Sequence, residues 1–296
     1  MTLVRGRGLA ETVSDSKVGF NRPVIHPFNM ASFSSNAVHA APPRRPSHLP
    51  RMASDAALQL VKRHPLQRLP SPSRGMSALL HSLVLCSFAY SFDYLVRHPN
   101  PFNDSYGWHM QFLTIIGLSL ATGTFAVGLL ADLTLSHRLF VLKNTLSVAS
   151  APMECLISLL YWGLRAIDQK LVLPDWAPRI SLGADLSFHA IPALALVIDL
   201  LFFSPPYTIA FLPALALSSA IAAGYWFWVE TCASANGFYP YPIFDILDTP
   251  QRAGLFAFAA LIMGISTVML RWVYLQVNGR EEGTRPKERS GNVKGE

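Results

Sequence analysis

Two polar side chains sit inside apolar runs that leave little room for polarity. Thr114 lies in WHMQFLTIIGLSLATGTF, residues 108–125, and His189 in ADLSFHAIPALALVIDLLFFSPP, residues 184–206. A threonine hydroxyl becomes a useful nucleophile only when a base takes its proton, and imidazole is suited to that role near neutral pH. Together the two residue types are the minimal equipment for acyl transfer. Asp185 precedes His189 by four residues, on the same helical face. It can accept a proton from one ring nitrogen and leave the other as the base. Pro192 removes the N–H that would bond the Phe188 carbonyl, and a freed carbonyl at membrane depth must face protein or water. A wet, protein-lined cavity is the natural inference. Asp199, deeper in the same run, agrees with it, because intramembrane ionisable groups usually face the bundle interior.

Each of these residues also has a plainer reading. A threonine in a membrane helix ordinarily bonds the carbonyl four residues back. A histidine within two turns of the interface can be hydrated there and do nothing else. Asp199 and Glu154 can pair with arginine or with backbone groups. Spacing alone leaves both sets of readings open.

The elements that carry these residues are membrane spans. The 296 residues are 51% hydrophobic and only 14% charged, where a soluble domain carries about 25% charged residues. The hydrophobicity is gathered in six runs of about 20 residues, the length that crosses a hydrocarbon core. They are 76–95, 110–131, 150–167, 184–204, 208–230 and 252–275. Aromatic residues border them at Tyr161 and Trp162, Trp226 and Trp228, and Trp272 and Tyr274, as interfacial belts do. The expected class is an all-α membrane protein, a bundle of about six transmembrane helices, since the alternating segments of a β-barrel are absent. No conspicuous broken helix or internal repeat of a transporter is visible. Gly117/Ala121 and Ser119/Gly123 are spaced for close helix approach.

Three segments follow: a basic tail over 1–75, a membrane domain over 76–275 and a C-terminal tail over 276–296. The first 75 residues hold eleven Lys/Arg against three Asp/Glu and are rich in Ser and Pro. That composition is expected to be disordered. Beside membrane spans it reads as a cytoplasmic, lipid-facing segment, and no nucleic-acid motif accompanies it. Membrane lipids are the expected partners, with an endoplasmic-reticulum or other endomembrane location. Its Arg- and Ser-rich character leaves a mitochondrial transit peptide as the alternative. Cys86, Cys155 and Cys232 have neither disulfide nor metal-ligand spacing, so they read as buried thiols, and no metal or cofactor is expected. Thr114 and His189 fall about five residues into the second and fourth spans, which run in the same direction. Both therefore lie about 7 Å below one interface at 1.5 Å per residue.

The stretch SYGWHMQFLTIIGLSLATGTFAVGLLADLT (residues 105–134) resembles the second-helix region of the androgen-induced protein family. YWGLRAIDQKLVLP (161–174), DLSFHA and NGFYPYP (236–242) agree with it in order, so the resemblance covers about 76–275. The chain looks like a divergent member. The resemblance implies a six-span membrane hydrolase of fatty acid esters of hydroxy fatty acids, with threonine as nucleophile and histidine as base. The family's threonine falls on Thr114 and its histidine on His189. Relatives carry an Asn-His pair where this chain has Asp185 and Leu186, so Asp185 as a third member rests on spacing and not on the family. Asn236, Tyr239 and Tyr241, on the same membrane side, are candidates for lining the mouth of the cavity, as is Asp199 deeper in. The alternative for that loop is a turn with interfacial aromatics. A non-catalytic lipid-binding or scaffold protein is the runner-up function, and a transporter comes third.

Overall fold

Apolar length and helix capping together determine the architecture. The computed structural model describes residues 63–173 and 180–280. The chain divides into a unit over 1–49, outside those residues, and a unit over 50–296 that holds everything below. Its elements are α1 (Met76–Arg97), α2 (Leu113–Thr134), α3 (His137–Ile167), α4 (Leu182–His189), α5 (Ile191–Phe203), α6 (Phe211–Asn236), α7 (Pro242–Ile246) and α8 (Thr249–Asn278). The described residues contain no strand. The five long helices α1, α2, α3, α6 and α8 are each long and apolar enough to cross a membrane. The pair α4 and α5, bent by 44° at a break, passes the same test together and makes a sixth crossing if it is one span. Large apolar side chains point outward along the bundle, among them Leu83, Leu130, Leu159, Phe227, Leu261 and Trp272. In water such a surface would be costly, whereas lipid tails are as apolar as leucine.

The structure alters several expectations. The third span starts at His137, not 150, because Ser136 caps it by accepting from the Leu139 N–H and the charged first turns still continue the helix. The fourth span is broken after all. Ala190 departs from helical geometry and Pro192 occupies the first turn of α5, where its missing N–H costs nothing. Helix α8 runs from an Asp248/Gln251 capping box to Asn278, beyond the expected end at 275. Residues 63–75, assigned to the disordered tail, are ordered on the bundle. The Leu69 N–H donates to the Phe202 carbonyl (2.8 Å), and the Tyr274 hydroxyl donates to Leu66 (3.2 Å). The rest of the expected N-terminal tail, and residues 281–296, lie outside the described residues. Cys86 is exposed and only Cys232 is buried, so the thiols are not uniformly interior.

Helix contacts use small residues, since burial in lipid brings no water-driven gain. Gly117 lets α3 approach so closely that a Cβ there would lie 2.5 Å from Ile157 Cδ1 and 2.6 Å from Glu154 Oε1. Ala121, one turn on, is wholly buried. Gly123 has nothing within 4 Å, so the Ser119/Gly123 pair expected for close approach makes none at that glycine.

At the end of the bundle where α1 and α3 begin, α1, α2, α3 and α5 are tied by a buried charge network. His81 has Nδ1 2.7 Å from Asp132 Oδ2 and Nε2 3.1 Å from Asp199 Oδ1. Lys143 Nζ donates to Asp199 Oδ2 (2.7 Å) and to the Ser204 hydroxyl (2.8 Å). All four ionisable side chains are 0–1% exposed. Gly128 makes room for the imidazole, whose ring atoms would be 2.8–3.0 Å from a Cβ there.

Candidate active site

Thr114 is placed by a loop pinned to α6. Gly107 takes φ +84, and any Cβ on it would meet Cys232 Sγ at 2.7 Å. Trp108–Gln111 then form a 3-10 turn whose carbonyls are fixed from α6. The Trp228 indole donates to Met110 (2.9 Å) and the Tyr225 hydroxyl to Gln111 (3.0 Å). Helix α2 begins at Leu113, so Thr114 is its second residue and not five residues inside. This position removes the plain reading of the hydroxyl. Only a single 3-10 turn precedes it, and the carbonyl four residues back, that of Met110, already accepts from Trp228. The first turn of a helix also carries N–H groups with no partner of their own. The N-cap is Phe112, which cannot cap. The Tyr241 phenol lies close enough to the Thr114 side chain and to the Leu113 and Thr114 N–H groups for each to favour its ionised form. Burial pushes this phenol above its ordinary value, while the hydrogen bonds from Thr114 pull the other way.

His189 is the last residue of α4, at the break of the fourth span. Its Nδ1 lies 3.0 Å from Asp185 Oδ1 and 3.1 Å from the Asp185 carbonyl. Two acceptors on one nitrogen put the proton there, which leaves Nε2 with the lone pair. The end of α3 clamps this pair. The Tyr161 ring lies parallel to the imidazole, centroids 3.4 Å apart, and the Trp162 indole donates to the His189 carbonyl (3.3 Å). Arg165 pairs with Asp185 Oδ2 and donates to the Tyr161 hydroxyl (3.2 Å). Asp185 is 2% exposed and His189 7%.

Thr114 and His189 line one cavity of about 200 Å³, between the loop after α1, the start of α2 and the end of α4. A second cavity of about 110 Å³, among α3, α6, α7 and α8, also reaches Thr114. Thr114, Tyr161, Val172 and Tyr241 border both. No metal-holding cluster of His, Cys, Asp or Glu occurs among the described residues.

Comparison with known proteins gives the family. Residues 76–275, about two thirds of the chain, match the FAR-17a/AIG1-like protein family. The chain belongs to that family. It is also 34% identical over 206 residues to a UPF0641 membrane protein of Schizosaccharomyces pombe, covering 69% of this chain and 92% of that one. No solved structure matches it significantly. The protein is therefore a multi-pass membrane protein of the FAR-17a/AIG1-like family.

In this family member the residues singled out from sequence fall into two groups. Thr114, His189 and Tyr241 line one cavity, and Asp185 sits behind His189 on its Nδ1 side. Asn236 turns the other way and clamps Tyr106, accepting from its N–H (2.8 Å) and donating to its carbonyl (3.1 Å). The Tyr239 hydroxyl donates to Glu230 (2.8 Å), under the Arg252 guanidinium. Asp199 belongs to the network around His81 and lines neither cavity. Glu154 is 1% exposed with no hydrogen-bond partner for Oε1, and it forms no ion pair with an arginine among the described residues. Tyr161 and Arg165 were missed as site residues, although both stand in the quoted segment YWGLRAIDQKLVLP. Only the approach of α3 to α4, which no spacing reveals, gives them a role.

Proposed function

We propose that the protein is a membrane-embedded ester hydrolase, acting on fatty acid esters of hydroxy fatty acids or similar acyl esters. Thr114 is the nucleophile and His189 the general base. The observation that carries this reading is the shared cavity: a hydroxyl freed from helical back-bonding and an imidazole with its lone pair on Nε2 border the same space.

The step balances simply. His189 Nε2 takes the Thr114 proton as Oγ attacks the ester carbonyl carbon. The tetrahedral intermediate collapses, the bond to the alcohol oxygen breaks, and His189 returns the proton to that oxygen. Water then attacks the acyl-threonine with His189 again as base, and the proton restores the threonine hydroxyl as the fatty acid leaves. Asp185 stabilises the imidazolium formed in each half, and Arg165 holds Asp185 in place. The N–H groups opening α2, beside the Tyr241 phenol, are the candidate donors to a developing oxyanion once the substrate carbonyl displaces the phenol from them. They sit at the positive end of the helix, which favours negative charge.

An electrophilic probe of the serine-hydrolase type tests the nucleophile directly. Wild-type protein should be labelled on Thr114, and Thr114→Ala should not be labelled at all. Labelling that persists in Thr114→Ala would assign the reactivity elsewhere.

A further inference from the structure

Resting on that reading, we infer that the two cavities meeting at Thr114 divide the ester between them. The apolar shaft among α3, α6 and α8 takes the acyl chain. The cavity beside His189 takes the alcohol half and, after it leaves, the hydrolytic water.

The shaft has the shape and chemistry of an acyl pocket. Its walls carry no charged side chain, only apolar groups with Thr114, Ser218 and three tyrosines. Three helices descend together from the level of Thr114: Tyr161 to Met153 on α3, Tyr225 to Ser218 on α6, and Leu255 to Met263 on α8. Eight residues of helix give a depth of about 12 Å. At the deep end Met153 and Met263, each 2% exposed, pack into one cluster. An alkyl chain satisfies such walls, whereas a polar group there would lack partners.

The other cavity is different. His189 lines it and does not line the shaft. Whatever the base must protonate has to lie on its side of Thr114, and in ester cleavage that atom is the alcohol oxygen. The same cavity presents His98, Asn100 and His109 further along its wall. These groups suit a polar or carboxylate-bearing leaving group and the entry of water. Burial holds His109 below the usual histidine range, so it acts there as a neutral hydrogen-bonding group.

Two photoreactive esters test the division. Both join the same fatty acid to the same hydroxy fatty acid, with a diazirine at the far end of the acyl chain in one and of the hydroxy acid in the other. Full-length Thr114→Ala in lipid nanodiscs is crosslinked and the attachment sites are mapped by mass spectrometry. The acyl probe should attach within 153–164, 218–225 and 255–263, and the hydroxy-acid probe within 94–109 and 180–189. Attachment in the reverse sense, of both probes to one cavity, or of neither to these segments overturns the assignment. Because this readout needs no turnover, it is independent of whether wild type hydrolyses the esters. A protein that partitions the probes but cleaves nothing would keep the two-cavity assignment and lose the catalytic reading. As a second measurement, Ala222→Phe, which obstructs the shaft, should disfavour long acyl chains against short ones by about tenfold or more. Its preference for alcohol length should not move, and a shift in that preference instead would contradict the assignment.

Discussion

His189 Nδ1 lies 3.0 Å from Asp185 Oδ1, four residues back on the same short helix. This contact sets which nitrogen of the imidazole is free to act as a base. Arg165 pairs with the other oxygen of the same carboxylate. Asp185→Asn keeps the size and removes the charge that stabilises the imidazolium. Turnover is expected to fall by about 10²–10⁴-fold with little change in KM, the scale of a general base's contribution. Steady-state kinetics on the purified variant check this. An unchanged kcat would reduce Asp185 to a structural partner of Arg165.

Tyr241→Phe deletes a hydroxyl that borders both cavities beside Thr114 and the first N–H groups of α2. The variant is expected to fold and to lose about 10²–10³-fold in kcat, as removal of one oxyanion donor does. In wild type, burial holds this phenol above the ordinary tyrosine range, so it keeps its proton through the neutral range. The activity profile should accordingly show no loss attributable to Tyr241 ionisation at neutral or mildly alkaline pH. A variant with wild-type kcat would leave Tyr241 as a helix cap only.

The network around His81 concerns stability and not chemistry. Lys143→Met leaves Asp199 buried without its cation. Breaking one partner of a buried pair costs about 3–5 kcal/mol. Thermal unfolding in detergent should register a large loss, and Lys143→Met combined with Asp199→Leu should recover most of it. A single variant as stable as wild type would mean that the network is reached by water.

Gly128→Ala should destabilise by about 1–3 kcal/mol, as overpacking does. The new Cβ would meet the His81 ring at 2.8–3.0 Å, and that ring is tied at both nitrogens and cannot easily turn away. The unfolding midpoint of the variant measures this, and no change would show the ring to be less constrained than its two bonds suggest.

Legibility from sequence followed the physics of each feature. Runs of apolar residues must be helical in lipid, so the apolar helices and their order could be read directly, five of them as unbroken spans. Helix ends could not, because Ser136 and Asp248 extend α3 and α8 through capping bonds that hydropathy does not register. The break at Ala190 was legible in Pro192 for the carbonyl it frees, yet not as a 44° bend. Within the site, i to i+4 spacing brings Asp185 to His189 because both lie on one helix. Thr114 and Tyr241 approach across two loops, and Tyr161 stacks on His189 from another helix. Such contacts depend on which helices are neighbours, and helical periodicity carries no record of that. The same limit explains Asp199: an intramembrane acid announces a partner, but His81 and Lys143 lie 118 and 56 residues away.

The most direct test of the catalytic reading is hydrolysis of a fatty acid ester of a hydroxy fatty acid by the detergent-solubilised protein. Wild type is compared with Thr114→Ala and His189→Ala, each verified as folded by its thermal transition. The expected result is turnover in wild type and its loss in both variants. Full activity in either folded variant would contradict the pairing of Thr114 with His189. A wild type that cleaves none of a panel of lipid esters would favour a protein that binds lipid without cleaving it.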